Sequence, residues 1–329
     1  MADVWLRRRG VVVDRELDDA PTAAAAVDHD EDARRGAAPA PPRPVRRPLA
    51  PLTASASVGL WSVAMVSGLC LWLVFSATVL GAMQYRADQG RLYDDLRVRL
   101  ANGTAPLGAT TSGTPVALLN ARGAGIRDAV VVEGTSSVQT QKAPGHRRNT
   151  PLPGQPGVSV LLGRGTTYGA AFGGIARLDA GDVITATTGQ GDFTFVVEGV
   201  RRAGDPLPAL LPFGGSRLSL ASTEGASLAN GLRARGVVYV DAILKGTPRL
   251  PSSTRPSAIP ANEDLMAGNR SAVLPLLLWM QALLVVGCAV AWAQARWGLW
   301  QTWLAAAPAL LLVLWAAATS AAQLLPNLF

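Results

Sequence analysis

Three long runs without a charged residue constrain this 329-residue chain more than any other feature. Residues 58–82, 272–293 and 299–324 each supply the roughly 20 apolar positions that a helix needs to cross a hydrocarbon core. No Asp, Glu, Lys, Arg or His interrupts them, which argues against a transporter or proton channel. Tryptophans stand at or near several ends (Trp61, Trp279, Trp297, Trp300), where indole rings rest at headgroup level. The first run starts nearly 60 residues into the chain and has no small-x-small exit, unlike a cleaved signal peptide. The expectation is a three-pass membrane protein with a large segment, 83–271, between its first and second spans.

Charge placement predicts the orientation. Arg43, Arg46 and Arg47 precede the first span, and Arg296 is the one charge between the second and third. Arginine on these two short flanks favours an N-terminus and a 293–298 turn on the cytoplasmic side, with the intervening domain and Phe329 outside. Arg86 and Arg91 oppose this, but a long domain translocates largely regardless of its charge. Residues 1–57 are Ala- and Pro-rich with nine arginines against nine acids, and bury too little apolar surface to order themselves. The outer segment holds 20 Lys or Arg against 14 acids. That excess either attracts anionic wall polymers and headgroups or merely decorates solvated faces. Basic residues and aromatics are not interleaved, so no nucleic acid is expected as a partner; the membrane is.

Within the outer segment the pattern is strand-like. Residues 83–113 form a juxtamembrane approach, with a helix over 84–100 and a Gly/Thr linker after it. Short apolar runs then alternate with turn residues over 114–246. Candidate strands are 116–119, 129–132, 158–162, 183–188, 193–200, 217–221 and 237–244. Phe193, Phe195 and Val197 alternate with polar positions, placing one face inward. A Pro/Ser-rich tether over 247–271 returns the chain to the membrane. The predicted fold class is a membrane protein with an all-β outer domain, a barrel flanked by one N-terminal and two C-terminal transmembrane helices.

The order of pieces in this domain resembles the sortase family, the surface transpeptidases of Gram-positive bacteria. Residues 114–119 fit the opening strand and 131–135 the Val-Val-x-Gly-Thr strand end. Residues 151–157 fit a Pro-Leu-Pro-Gly loop, 166–178 a small helix, and Gly181-Asp182 the next turn. The resemblance is to a class E/F-like sortase domain, and it covers about 114–245. It implies a β-barrel in which a cysteine thiolate attacks a peptide carbonyl, a histidine moves the proton, and an arginine steadies the oxyanion. The thiol suits such work because it ionises near neutral pH and is intrinsically nucleophilic.

The residues at those places differ. Where the resemblance puts a Gly-His-Arg histidine, the chain reads Gly163-Arg164-Gly165; where it puts Thr-Cys, the chain reads Ser222-Thr223. Its only cysteines, Cys70 and Cys288, fall inside the first and second spans. The Gly145-His146-Arg147 run superficially matches the histidine motif, but register places His146 in an earlier loop. For the oxyanion arginine, Arg235 lies near the place, yet counting back from Val240-Asp241-Ala242 lands on Val237. A guanidinium cannot accept a proton, so Arg164 is no base for Ser222 or Thr223; Glu224 is the remaining candidate. The expectation is therefore no catalytic residues, with Arg164, Ser222, Thr223 and His146 as candidate groove residues. Arg164 is read either as a groove-floor donor or as the partner of a nearby acid.

Neither a cofactor nor a metal is expected, since no Cys/His cluster or Gly-rich Lys-Ser/Thr loop is present. The reading is a binding or scaffold protein at the cell surface, its partner an active sortase or a surface-protein substrate. The alternative is a divergent transpeptidase or hydrolase using Thr223 or Ser222.

Overall fold

The computed structural model describes residues 54–202, 204–224, 236–251 and 255–329. Nearly all of the N-terminal tail, with His29, and also Arg235 lie outside the described residues. Three helices are long and apolar enough to cross a membrane. The first, α1 (Ala54–Phe75), runs through a single π-helical turn, Ser76–Leu80, into α2 (Gly81–Ala101). Apolar sequence in α1 gives way to charged sequence in α2 without a helix breaker, so the helix continues off the span and meets the barrel. There Gln89 clamps a strand: its Oε1 accepts from the Val130 N–H at 2.8 Å, and its Nε2 donates to the Val130 and Lys142 carbonyls at 3.2 Å.

Eight strands close into a barrel in the order β1-β2-β3-β4-β7-β8-β6-β5. They are β1 (Pro115–Ala121), β2 (Ile126–Glu133), β3 (Gly145–His146), β4 (Gly157–Leu162), β5 (Val183–Thr188), β6 (Gly191–Arg202), β7 (Ser216–Thr223) and β8 (Val237–Leu244). A short helix, α3 (Ser137–Lys142), stands between β2 and β3. Closure leaves no free edge, and alternate residues fill the interior. Leu119, Leu161, Ile184, Phe195, Leu218, Leu220 and Val240 are among the buried core. The expected period-two pattern of β6 holds, with Phe193, Phe195 and Val197 all buried.

Two features depart from the sequence reading. β3 adds an eighth strand to the seven anticipated. It is two residues long, pairing parallel to β2 and antiparallel to β4, too short to leave a periodic signal. Gly145 permits the approach, because a Cβ there would stand 2.3 Å from the Gly134 carbonyl oxygen. The small helix expected over 166–178 is instead two 3-10 turns, Tyr168–Ala170 and Ile175–Arg177. Left-handed backbone at Tyr168, Gly169 and Ala170 prevents an α-helix from propagating there.

After β8 the chain runs back along the barrel, held by side chains. Arg255 donates to Glu133 at 2.7 Å and to the Gly108 carbonyl at 3.2 Å, while Arg148 pairs with the buried Glu263. The second and third apolar helices, α4 (Val273–Trp297) and α5 (Leu299–Leu324), form a hairpin turned at Gly298 (φ 89°). The Trp72 indole donates to the Leu314 carbonyl at 3.1 Å, joining α1 to α5. Asn269 N–H donates to the Gln323 carbonyl at 2.9 Å, so α5 ends beside the start of α4 and delivers residues 325–329 to the barrel.

Candidate functional site

Parallel pairing of β4 with β7 builds the site. Val158 through Leu162 run beside Arg217 through Ala221, and the Gly163 N–H extends the ladder to the Ala221 carbonyl at 3.0 Å. Gly163, Arg164 and Gly165 therefore continue alongside Ser222 and Thr223. Three of the anticipated residues, Arg164, Ser222 and Thr223, thus share one end of the barrel. The glycines are sterically required: a Cβ on Gly163 would strike the Phe172 ring at 2.4 Å. One on Gly165 would sit 2.6 Å from both the carbonyl oxygen and Oγ1 of Thr223.

Arg164 is completely buried (0 % exposed). Residues 325–329 cover it, and no Asp or Glu side chain pairs with it among the described residues. Its Nη2 donates to the Ser137 hydroxyl (2.8 Å) and carbonyl (3.2 Å). Its Nη1 donates to Thr167 Oγ1 (3.0 Å) and to the Phe329 main-chain oxygen (3.1 Å). The guanidinium also sits 5.1 Å from the centre of the Tyr168 ring. Burial lowers its pKa to about 10, which leaves it protonated at neutral pH. Burial likewise raises the Tyr168 phenol.

Thr223 ends β7, and its Oγ1 donates to the Leu328 carbonyl at 3.0 Å; the Gly165 N–H reaches the same oxygen at 3.0 Å. The Ser222 hydroxyl is buried and has no partner among the described residues. Glu224, the candidate base, is turned outward. Both its oxygens accept from Arg202, at 2.6–2.9 Å, and that bonding holds its carboxyl below the ordinary value. Val237 pairs directly with Thr223 across β7 and β8. It offers an isopropyl group where counting put the oxyanion arginine.

His146 stands apart. It is fully buried, with Nδ1 3.0 Å from a Glu133 oxygen and Nε2 2.9 Å from the Pro151 carbonyl. Glu133 also holds Arg255, so the imidazole braces a strand end and the returning chain together. Sequence reasoning missed Glu133, Arg255 and Ser137, whose types are ordinary and whose partners lie far along the chain. It also missed residues 325–329, which follow a hydrophobic helix and carry no charge. Cys70 and Cys288 lie on α1 and α4 rather than on the barrel.

The barrel is similar to known proteins. The family model of the sortase domain matches residues 121–212. Among solved structures, a sortase D5 transpeptidase of Clostridium perfringens is 18% identical, with TM-score 0.40, over 49% of this chain and 99% of its own. Sortase E of Streptomyces avermitilis is 25% identical, with TM-score 0.32, over 47% and 100%. A sortase of Actinomyces oris is 23% identical, with TM-score 0.34, over 46% and 93%. No curated protein sequence matches the chain. The family match, together with the closed eight-stranded barrel, places this chain's barrel in the sortase family.

Proposed function

We propose that this protein is a membrane-anchored sortase-type domain, facing outward, that binds peptide at the sortase cleft without cleaving it. One observation carries the reading: the Thr223 hydroxyl donates its hydrogen bond to a peptide carbonyl and has no base beside it among the described residues. Arg164, the nearest ionisable side chain on β4's extension, is a donor at neutral pH, and Glu224 is tied to Arg202. A hydroxyl in that position holds a carbonyl oxygen; it does not attack the carbon. Loss of a nucleophile–base unit costs roughly a million-fold in turnover where such units have been dismantled. The chemistry that remains is recognition, and the partner class is an extended or turned peptide of a surface protein or of an active sortase.

The divergent-transpeptidase reading has one observation in its favour, the convergence of the Gly165 N–H and Thr223 hydroxyl on a single carbonyl oxygen. Two donors on one oxygen are the geometry of an oxyanion site. Incubating the full chain in detergent micelles with a fluorogenic Leu-Pro-x-Thr-Gly peptide and an amine acceptor separates the two. The binding reading expects no hydrolysis or transfer above buffer. Turnover that disappears in Thr223→Ala or Ser222→Ala would establish the alternative instead.

A further inference from the structure

We infer that the cleft is a peptide-binding site occupied in cis by residues 325–329 of this same chain, and that a partner peptide enters by displacing them. The inference rests on the peptide-binding reading and adds the resident ligand and its chemistry. Pro326 ends α5, and the five residues Leu-Pro-Asn-Leu-Phe fold into a turn closed by the Phe329 N–H on the Pro326 carbonyl at 3.1 Å. The barrel then reads this turn atom by atom. Ser137 Oγ donates to the Leu325 carbonyl at 3.1 Å. Asn327 donates through Nδ2 to the Thr135 and Asp264 carbonyls at 2.7 and 2.8 Å, and through its backbone N–H to the Ala267 carbonyl at 3.0 Å. The Leu328 oxygen accepts from Gly165 and Thr223, and the Phe329 oxygen from Arg164 and Thr167.

Apolar packing completes the fit. Leu328 is fully buried in a pocket of Leu162 and Ala221, with Val160, Val237, Tyr239, Leu265 and Met266 around it. Val237 thus supplies a wall of the very pocket that an arginine at that place would fill with charge. Without the turn, the Gly165 N–H and the Nη1 arm of Arg164 each lose an acceptor in the cleft, beside an uncovered Leu-sized hole. Buried donors without acceptors are costly, so the cleft favours some occupant of this kind. The ligand class follows: a peptide turning at proline, with a carbonyl-seeking amide at the third position and a branched apolar side chain at the fourth. The Leu-Pro-x opening is shared with the assay peptide named above.

The tether makes displacement concentration-dependent. A short covalent link presents the turn at an effective concentration on the order of millimolar. A free peptide of about 10 µM intrinsic affinity is then competed roughly 100-fold in the intact chain. The test titrates a fluorescein-labelled Leu-Leu-Pro-Asn-Leu-Phe peptide against two purified proteins in micelles, the full chain and a variant lacking residues 325–329, and reads anisotropy. The expected result is saturable binding to the deletion variant and binding roughly 100-fold weaker to the full chain. Equal affinity for both, or no binding to a deletion variant that retains its far-UV and near-UV spectra, overturns the inference. Should the deletion unfold the barrel, Leu328→Ser in the full chain takes its place and is expected to strengthen binding about tenfold; unchanged affinity then overturns it. Cleavage of the bound peptide by the deletion variant would leave the cis ligand standing and remove the non-cleaving reading.

Discussion

Arg164→Ala tests the burial of the site most directly. The side chain is fully enclosed, so truncation to Cβ opens a cavity, and large-to-small changes of this kind cost about 2–5 kcal/mol. Two further effects oppose each other. The variant loses four charge-assisted hydrogen bonds, worth roughly 1.5–3 kcal/mol each. It also relieves a buried cation that no Asp or Glu side chain pairs, whose effective desolvation penalty is several kcal/mol. These offset to first order, which leaves the cavity to decide the sign. For a folding unit of this size one kcal/mol moves Tm by about 2–4 °C, so the barrel's transition should fall by about 10 °C. Arg164→Met refills most of the volume with apolar atoms and should recover about half of that loss. Arg164→Lys keeps a point charge that cannot fork between Ser137 and Phe329, and should melt below the Met variant. Near-UV circular dichroism of the full chain in micelles reads all three transitions. An Ala variant melting within 2 °C of the parent would refute the burial, and a Lys variant above Met would show that charge, not the fork, holds the site.

Four shorter expectations follow from the same contacts. Arg255→Met leaves the buried Glu133 with His146 alone and should cost about 3–5 kcal/mol, read as a lower Tm and as faster proteolysis within 247–260. Gly165→Ala forces a Cβ against Thr223 and should release residues 325–329, detected as new protease cleavage after Leu324; an unchanged digest would count against the close approach. Arg164's folded pKa of about 10 lies below its ordinary value, so the unfolded state holds the proton longer and stability rises with pH only above about 10; between about pH 7.5 and 9 peptide binding through Arg164 should be flat, and a steep slope there would assign the grip to another group. With Cys70 and Cys288 replaced by Ala, an impermeant maleimide should label Ser257→Cys but not Ala295→Cys in intact cells, and the reverse pattern would invert the orientation.

The barrel was legible because its signals are local and repeated. Seven of its strands announced themselves by apolar runs between turn residues, and three spans by length and absence of charge. What failed to show has physical causes. A two-residue strand such as Gly145–His146 has no period to detect. The sortase-like order of pieces predicts a small helix over 166–178, yet three left-handed positions break it into turns. The resemblance puts Arg164 and Thr223 at one site, and the parallel pairing of β4 with β7 brings them to the same end of the barrel. Their burial was not legible, because the segment that covers them arrives from more than 100 residues away (Thr223 to Leu328, 105 positions apart). Long-range closure by a short uncharged turn has no composition of its own.

On the proposed reading, three residues that differ from those the sortase resemblance implies act on one another in the site. Imidazole at the place of Arg164 would titrate near neutrality; a guanidinium there is a permanent donor, and it grips the Phe329 oxygen. A thiolate at Thr223 would attack the adjacent carbonyl, whereas the hydroxyl donates to the Leu328 oxygen at 3.0 Å. An arginine at Val237 would stabilise a developing oxyanion, whereas valine lines the pocket for the Leu328 side chain. On that reading each replacement would remove a step of the reaction and add a contact to a resting peptide. Random loss of a catalytic residue would not be expected to improve the fit of the segment beside it three times over. The coherence of the set is the strongest reason to read the cleft as specialised for holding a peptide, and the displacement titration is where that reading stands or falls.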